Sequence, residues 1–291
     1  MKRLAIIFIL LLLASAAFSV SEYLLQTGLK AAMYTSMISE LGWEYDGSAC
    51  FYGALLGEGE SVSSGRWFER GTKYNIWAYG DEDAIDLDIQ ITDENGSVVA
   101  EDSAYDATPN CDFRPKKSAS YTITITNYES NGQVFVFWGV MNNDVSPYYN
   151  AGEKCVNALA KMMDFFSILD ENAWDYRFFL NKTFLIGGIM EEGESQCFYN
   201  FSVPFDTGCY FVGFGSDEIQ DFDIKLTEQW GLDQVDYDFE ADDYQIICED
   251  SDYAAVATME GSLYDSELYA LKYRVYKSRE SGFVFTLILT E

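Results

Sequence analysis

The heptapeptide DLDIQIT at residues 86–92 is echoed by DFDIKLT at residues 221–227. In both segments apolar residues alternate with polar ones, the period of a β-strand with one buried face. We expect Leu87, Ile89 and Ile91 to face a core and the polar residues between them to face out. The pattern therefore predicts a half-buried strand that occurs twice in the chain.

Further segments match in the same order on either side of this strand. The pairs are GEGES at 57–61 with EEGES at 191–195, YNIWAYGD at 74–81 with YFVGFGSD at 210–217, and EDSAY at 101–105 with EDSDY at 249–253. Ordered self-similarity at long spacing indicates an internal repeat. The chain is predicted to be a tandem duplication, with copies at about 20–149 and 150–291.

Each copy is predicted to open with an amphipathic helix, because apolar residues recur every three or four positions. The predicted stripes are Leu25, Leu29, Met33, Met37 and Leu41 in the first copy, and Val156, Leu159, Met163, Phe166 and Leu169 in the second. We expect each stripe to lie against its own domain or against its twin.

The remainder of each copy has about seven short strands, separated by turn signals, which is typical of an antiparallel sandwich. The runs at 134–140 and 283–289 are apolar on both faces and are expected to be central strands. The predicted fold class is mainly β, with two tandem antiparallel β-sandwich, jelly-roll-like repeats, each preceded by an amphipathic helix.

Composition excludes several classes of function. The 291 residues include no histidine, which removes His-dependent triads and His metal sites, and the net charge of -30 argues against nucleic-acid binding. A hydrophobic fraction of 48% and an aromatic fraction of 16% are too high for a disordered chain.

Residues 1–19 have the three parts of a signal peptide: a basic start, an apolar run at 4–13 and small residues at 14–19. This predicts a secreted or periplasmic protein, and no later apolar run is long enough for a transmembrane segment after cleavage. The six cysteines allow three disulfides in 15 pairings. Buried thiols are the alternative.

Three stretches of the first copy, GTKY at 71–74, GDEDAIDLDI at 80–89 and DENGSVVA at 93–100, resemble the bacterial pre-peptidase C-terminal (PPC) domain. The resemblance covers about 57–140, and more weakly about 191–291, where the D-x-N-G turn is missing. It implies a small β-sandwich, whose relatives include collagen-binding modules, some of them calcium-binding. No peptidase domain accompanies these copies.

An acidic cluster is the first candidate site, because calcium is bound by six to eight oxygen ligands. Its predicted ligands are Asp81, Asp83, Asp86 and Asp88, with Asp217, Glu218, Asp221 and Asp223 as the second set. Calcium is the one cofactor that this pattern suggests. The alternative is a solvated rim in which Asp81 and Asp217 cap turns.

An insertion at 230–245, absent from the first copy, is the second candidate site, since long insertions between strands often carry function. Its predicted binding residues are Trp230, Asp236, Tyr237, Asp238, Phe239 and Glu240. A basic partner, a metal or a sugar would suit such an acidic and aromatic hairpin. A self-repelling surface hairpin is the other interpretation.

These features together predict an exported, non-catalytic binding or adhesion protein that takes a protein or polysaccharide ligand at the cell envelope or outside the cell. One alternative is a purely structural envelope protein without a specific ligand. The other is a carboxylate-based hydrolase, which needs two acids a fixed distance apart in a cleft. The oligomeric state does not follow from the sequence.

Overall fold

The computed structural model describes residues 20–45, 47, 49–144, 150–171, 176–229 and 245–290. The predicted signal peptide, residues 1–19, lies outside this range. The helices are α1 (Val20–Ser39) and α2 (Ala151–Glu171).

The strands of the first half are β1 (Glu44–Tyr45), β2 (Phe51–Leu56), β3 (Ser61–Phe68), β4 (Tyr74–Gly80), β5 (Ala84–Thr92), β6 (Val98–Asp102), β7 (Asn110–Phe113), β8 (Ala119–Ser130) and β9 (Val134–Asn142). Those of the second half are β10 (Lys182–Met190), β11 (Ser195–Phe201), β12 (Thr207–Gly215), β13 (Ile219–Gln229), β14 (Ile246–Asp250), β15 (Val256–Leu263), β16 (Leu268–Ser278) and β17 (Gly282–Thr290).

The strands form three antiparallel sheets, so the chain is mainly β and sandwich-like. A nine-stranded sheet has the order β15-β12-β17-β10-β2-β9-β4-β7, with β1 paired to β9. The two four-stranded sheets are β3-β8-β5-β6 and β11-β16-β13-β14. The second half thus repeats the strand order of the first, and the antiparallel pair β2–β10 joins both halves in one sheet.

Two apolar cores hold these layers together. One lies between the large sheet and the four-stranded sheets, and contains Trp138, Ile123 and Phe222. The other lies between the large sheet and the helices, and contains Phe137 and Phe285. Because β9 and β17 face both cores, every residue in them is buried, which confirms the prediction that they are central strands.

Helix α2 buries the predicted stripe, but helix α1 does not. In α2 all five stripe residues from Val156 to Leu169 are buried. In α1 Leu25 is buried, whereas Met33 and Met37 are half exposed, and Leu41 lies beyond the helix end and is 73% exposed. The prediction for these three residues is wrong.

Helical geometry explains the difference between the two stripes. A strict four-residue spacing advances about 40° per step around a helix with 3.6 residues per turn, so the stripe of α1 winds from the buried side to the outer side. The buried face carries smaller residues such as Ala31, Ala32 and Thr35. A Cβ on Gly28 would lie 3.4 Å from the ring of Phe137, which shows how closely α1 approaches the sheet.

No disulfide joins any of the six cysteines, all of which lie in the described part of the chain. Cys50, Cys111, Cys155 and Cys209 are buried in the two cores. Burial raises the pKa of Cys111 to about 11 and that of Cys209 to about 12, so both are neutral thiols at physiological pH. The structure therefore has buried thiols where the sequence also allowed disulfides.

Candidate functional site

Asp81, a predicted calcium ligand, is buried directly after strand β4. Its Oδ1 accepts a hydrogen bond from the backbone N of Asp83 at 3.0 Å, and its Oδ2 accepts one from the backbone N of Phe135 at 2.7 Å. Burial raises the pKa of Asp81 even though these bonds lower it. Both oxygens are thus used to fix the turn to β5 and the beginning of β9.

The residue that takes this place in the second half is Ser216. Its Oγ accepts a hydrogen bond from the backbone N of Phe283 at 3.0 Å, as Asp81 does from Phe135. The backbone N of Ser216 also donates to Phe283 O, as that of Asp81 donates to Phe135 O. The sequence alignment of Asp81 with Asp217 is therefore wrong by one residue.

Asp217 and Glu218 have different surroundings from Asp81. The side chain of Asp217 is 71% exposed and forms an ion pair of 3.0 Å with Lys161, which lowers its pKa. The Oε2 of Glu218 accepts a hydrogen bond of 2.5 Å from the hydroxyl of Ser216. Both carboxylates thus have partners outside β13.

Asp86 and Asp88 on β5 correspond to Asp221 and Asp223 on β13, as the sequence predicted. The residue after the first of each pair donates its backbone N–H to the loop before β7 or β15 in the same way, Leu87 to Asp106 O and Phe222 to Ala254 O. The structure therefore brings these acids together in pairs within each half.

In each pair, burial and the neighbouring negative charge make the ionised form of one aspartate less favourable. Burial and the charge of Asp86 raise the pKa of Asp88, and burial and the charge of Asp221 raise the pKa of Asp223 to about 7. The Oδ1 atoms of Asp86, Asp88 and Asp223 are buried without a hydrogen-bond partner. Within the described ranges, however, no three carboxylates or thiols lie close enough to hold a metal ion.

The outer surface of β3 and β8 is lined with hydroxyl side chains. Its members, defined here as the hydroxyl face, are Ser61, Ser63, Ser120, Thr122, Thr124 and Thr126. They face each other across the strands: Ser61 lies opposite Thr126, and the hydroxyls of Ser63 and Thr124 are 2.9 Å apart.

Trp67 stands at one end of the hydroxyl face, opposite Ser120 on β8. Its side chain is 56% exposed, although alternate residues of the same strand are buried. The indole N–H donates to Glu69 Oε1 at 2.8 Å. That bond holds the edge of the ring and leaves an aromatic surface at the end of two rows of hydroxyls.

Among the described residues, the second half has no matching rows of exposed hydroxyls. Lys225 and Lys272 lie opposite each other in β13 and β16, where the first half has Gln90 opposite Thr124. Their side chains are only 4% and 1% exposed. The exposed hydroxyl face is thus a property of the first half.

The hydroxyl face was missed in the sequence, although its signal is present there. In SVSSGRWF at 61–68 every odd position is Ser, Gly or Trp, and in SYTITIT at 120–126 every even position is Ser or Thr. Pairing these two strands would have predicted that Trp67 lies beside two rows of hydroxyls.

The insertion residues Trp230, Asp236, Tyr237, Asp238, Phe239 and Glu240 lie outside the described residues, so their predicted binding role stays a prediction. Of the two described helices, neither is long and apolar enough to cross a membrane.

No protein-family model matches the chain, and no curated protein matches it. Among solved structures it is similar to the tandem CBM22 modules of Paenibacillus barcinonensis Xyn10C, at 10% identity over 86% of this chain and 92% of that one, with a TM-score of 0.24. The PBSX exported protein XepA is 11% identical over 84% and 87% of the two chains, with a TM-score of 0.23. Oxalate decarboxylase of Bacillus subtilis is 11% identical over 86% and 75%, with a TM-score of 0.17. All three scores are far below 0.5, so the function proposed below rests on the residues of this chain.

Proposed function

We propose that the chain is an exported, non-catalytic binding protein that takes a polysaccharide on the hydroxyl face of its first half. The observation that carries this proposal is Trp67, a largely exposed indole at the end of two rows of Ser and Thr hydroxyls. Export is supported by the signal-peptide pattern of residues 1–19.

The chemistry of the hydroxyl face suits an extended polymer of sugars. Each hydroxyl both donates and accepts hydrogen bonds, as sugar hydroxyls do. Side chains on one face of a strand recur about every 6.8 Å, and neighbouring strands lie about 4.8 Å apart, which gives a regular grid of polar groups. An indole offers an apolar surface with a polar edge, which favours contact with the apolar face of a sugar ring.

We infer that both halves descend from one eight-stranded jelly-roll unit by duplication. The matching strand orders support this inference, as do the side chains of Asp81 and Ser216, which accept hydrogen bonds from equivalent backbone N–H groups. The resemblance to the PPC domain stays a prediction. A binding role is consistent with it, but the proposal does not depend on it.

Calcium binding also stays a prediction. The carboxylate of Asp81 is already occupied by backbone donors, whereas the Oδ1 atoms of Asp86 and Asp88 are buried without a hydrogen-bond partner. Melting the protein in calcium and then in chelator tests it, because a ligand at 100 times its Kd adds about 2.7 kcal/mol. No shift at millimolar calcium would remove calcium from the proposed function.

Affinity electrophoresis through gels that contain soluble polysaccharides tests the polysaccharide proposal. We expect at least one polymer to retard the protein, and Trp67→Ala to weaken that retardation about 10-fold or more, the effect of losing about 1.4 kcal/mol of binding free energy. Because Trp67 is exposed, the Trp67→Ala variant should have the same thermal stability as the wild type.

Tyr264→Ala is the matched control, since Tyr264 is an exposed aromatic residue of the second half. It should be retarded like the wild type. Thr124→Val, which replaces one hydroxyl of the face with a methyl group, should weaken binding less than Trp67→Ala. Equal retardation of Trp67→Ala and Tyr264→Ala, or no retardation by any polymer, would refute the proposal.

A further inference from the structure

The first half has an acidic notch near the beginning of β5. It is defined here by Asp86, Tyr105 and Glu129. Asp86 lies opposite Glu129 in the β5–β8 pair, and the hydroxyl of Tyr105 donates to Glu129 Oε2 at 3.0 Å. This hydrogen bond raises the pKa of Tyr105, and the charge of Asp86 adds to the effect, so the three groups interact.

The second half has the same arrangement, with one residue changed. Asp221 lies opposite Lys277, and the register of the strands is irregular on both sides of Asp221, as it is on both sides of Asp86. Tyr253 lies in the position of Tyr105, and the Lys277 ammonium is 5.5 Å from the centre of its ring. In this half a lysine of the chain itself lies over the tyrosine ring, and its charge counteracts the rise that burial causes in the pKa of Asp221.

Asp86 has no lysine opposite it on the neighbouring strand, in contrast to Asp221. Asp86 is 7% exposed, and its Oδ1 is buried without a hydrogen-bond partner. A buried acceptor without a donor costs about 1–3 kcal/mol, and more when it is charged. Glu129 adds a second negative charge where the second half has a positive one.

We propose that the acidic notch binds the ammonium group of a lysine side chain from a partner protein, in the position that Lys277 takes in the second half. A lysine has three donors, which suit the carboxylates of Asp86 and Glu129, and its charge is attracted to the face of Tyr105. Tyr105 is 69% exposed, so its ring is free to turn away from Glu129 and admit the incoming side chain. This site is independent of the proposed polysaccharide binding.

Two small probes test whether the ammonium group is recognised, and variants then separate a lysine site from general attraction to a chain with net charge -30. Nα-acetyl-lysine amide carries the ammonium group, and Nα-acetyl-norleucine amide has the same methylene chain without it. Binding of both to the full chain is measured by saturation-transfer NMR at 0.15 M salt, where distant charges are screened beyond about 8 Å. We expect the lysine probe to bind at least about 10-fold more tightly.

Variants then locate the site. Glu129→Lys copies the second half and should abolish the preference for the lysine probe, while Glu58→Lys, the same change of charge at an exposed turn, should keep it. Lys277→Glu copies the first half and should create a second site, which doubles the number of probe molecules bound at saturation.

Thermal melting gives a second readout. Glu129→Lys should melt several degrees above Glu58→Lys, because only the former gives Asp86 a partner. Equal binding of the two probes, or a preference that persists in Glu129→Lys, would overturn the proposal. If Lys277→Glu does not fold, the comparison of Glu129→Lys with Glu58→Lys still decides.

Discussion

Asp81→Ala removes a carboxylate that holds two backbone N–H groups in the first half. A hydrogen bond to a charged group contributes about 1.5–3 kcal/mol, so the two bonds of Asp81 amount to about 3–6 kcal/mol. Because burial still raises the pKa of Asp81, part of this stabilisation offsets the cost of burying the charge. We therefore expect Asp81→Ala to lower the free energy of unfolding by about 3 kcal/mol.

Asp81→Ser provides a matched comparison, because Ser216 fills the equivalent place in the second half with a single hydroxyl. It retains an acceptor for the backbone N of Phe135 and should lose about half as much stability. The free energies of unfolding are measured by urea denaturation at pH 7, followed by far-UV circular dichroism and tryptophan fluorescence. A loss below about 0.5 kcal/mol for Asp81→Ala, or an equal loss for both variants, would refute the assigned role of Asp81.

Other predictions test a buried charge, the thiols and the close packing around β10. Burial and Asp221 raise the pKa of Asp223 to about 7 from 3.8, so the folded state binds a proton more tightly, and stability should fall as the pH rises from about 4 to about 7. Asp223→Asn should flatten that profile by about 2 kcal/mol, about half of the full shift because water screens the charge, and an unaltered profile would contradict it. Thiol titration in denaturant without reductant should find six thiols per chain, and a lower count would indicate disulfides. Gly187→Ala should lower the free energy of unfolding by about 1–3 kcal/mol, because its Cβ would overlap the ring of Phe285, whereas Gly65→Ala, with open space at its Cβ, should not.

Local patterns in the sequence predicted the parts of the fold that depend on burial alone. The apolar runs of β9 and β17 became central strands, and the alternation of Leu87, Ile89 and Ile91 placed all three in the core. The three- and four-residue spacing of α2 kept its stripe on one face. These features follow from the period of each element, so no knowledge of its neighbours is needed.

The remaining features depend on neighbours that a single segment does not reveal. The stripe of α1 winds around the helix, and which part of it is buried depends on the sheet, which the helix approaches through Gly28 and small residues. The sequence grouped Asp81 with Asp83 as calcium ligands. Phe135, more than fifty positions away, instead donates its backbone N–H to Asp81. Trp67 was not noticed because its exposure depends on which strand lies beside β3 and what covers both.

The antiparallel pair β2–β10 has a consequence for how substitutions accumulate in the two halves during evolution. It lies at the centre of a sheet whose strand order is the same on either side, as in a two-fold symmetric dimer whose subunits have been linked into one chain. In a dimer of identical subunits every substitution appears twice. In this chain each appears once, so Thr124 has Lys272 as its counterpart, and Glu129 has Lys277. Under the proposed duplication, covalent linkage allows the two halves to differ at such positions while both keep the same strand order.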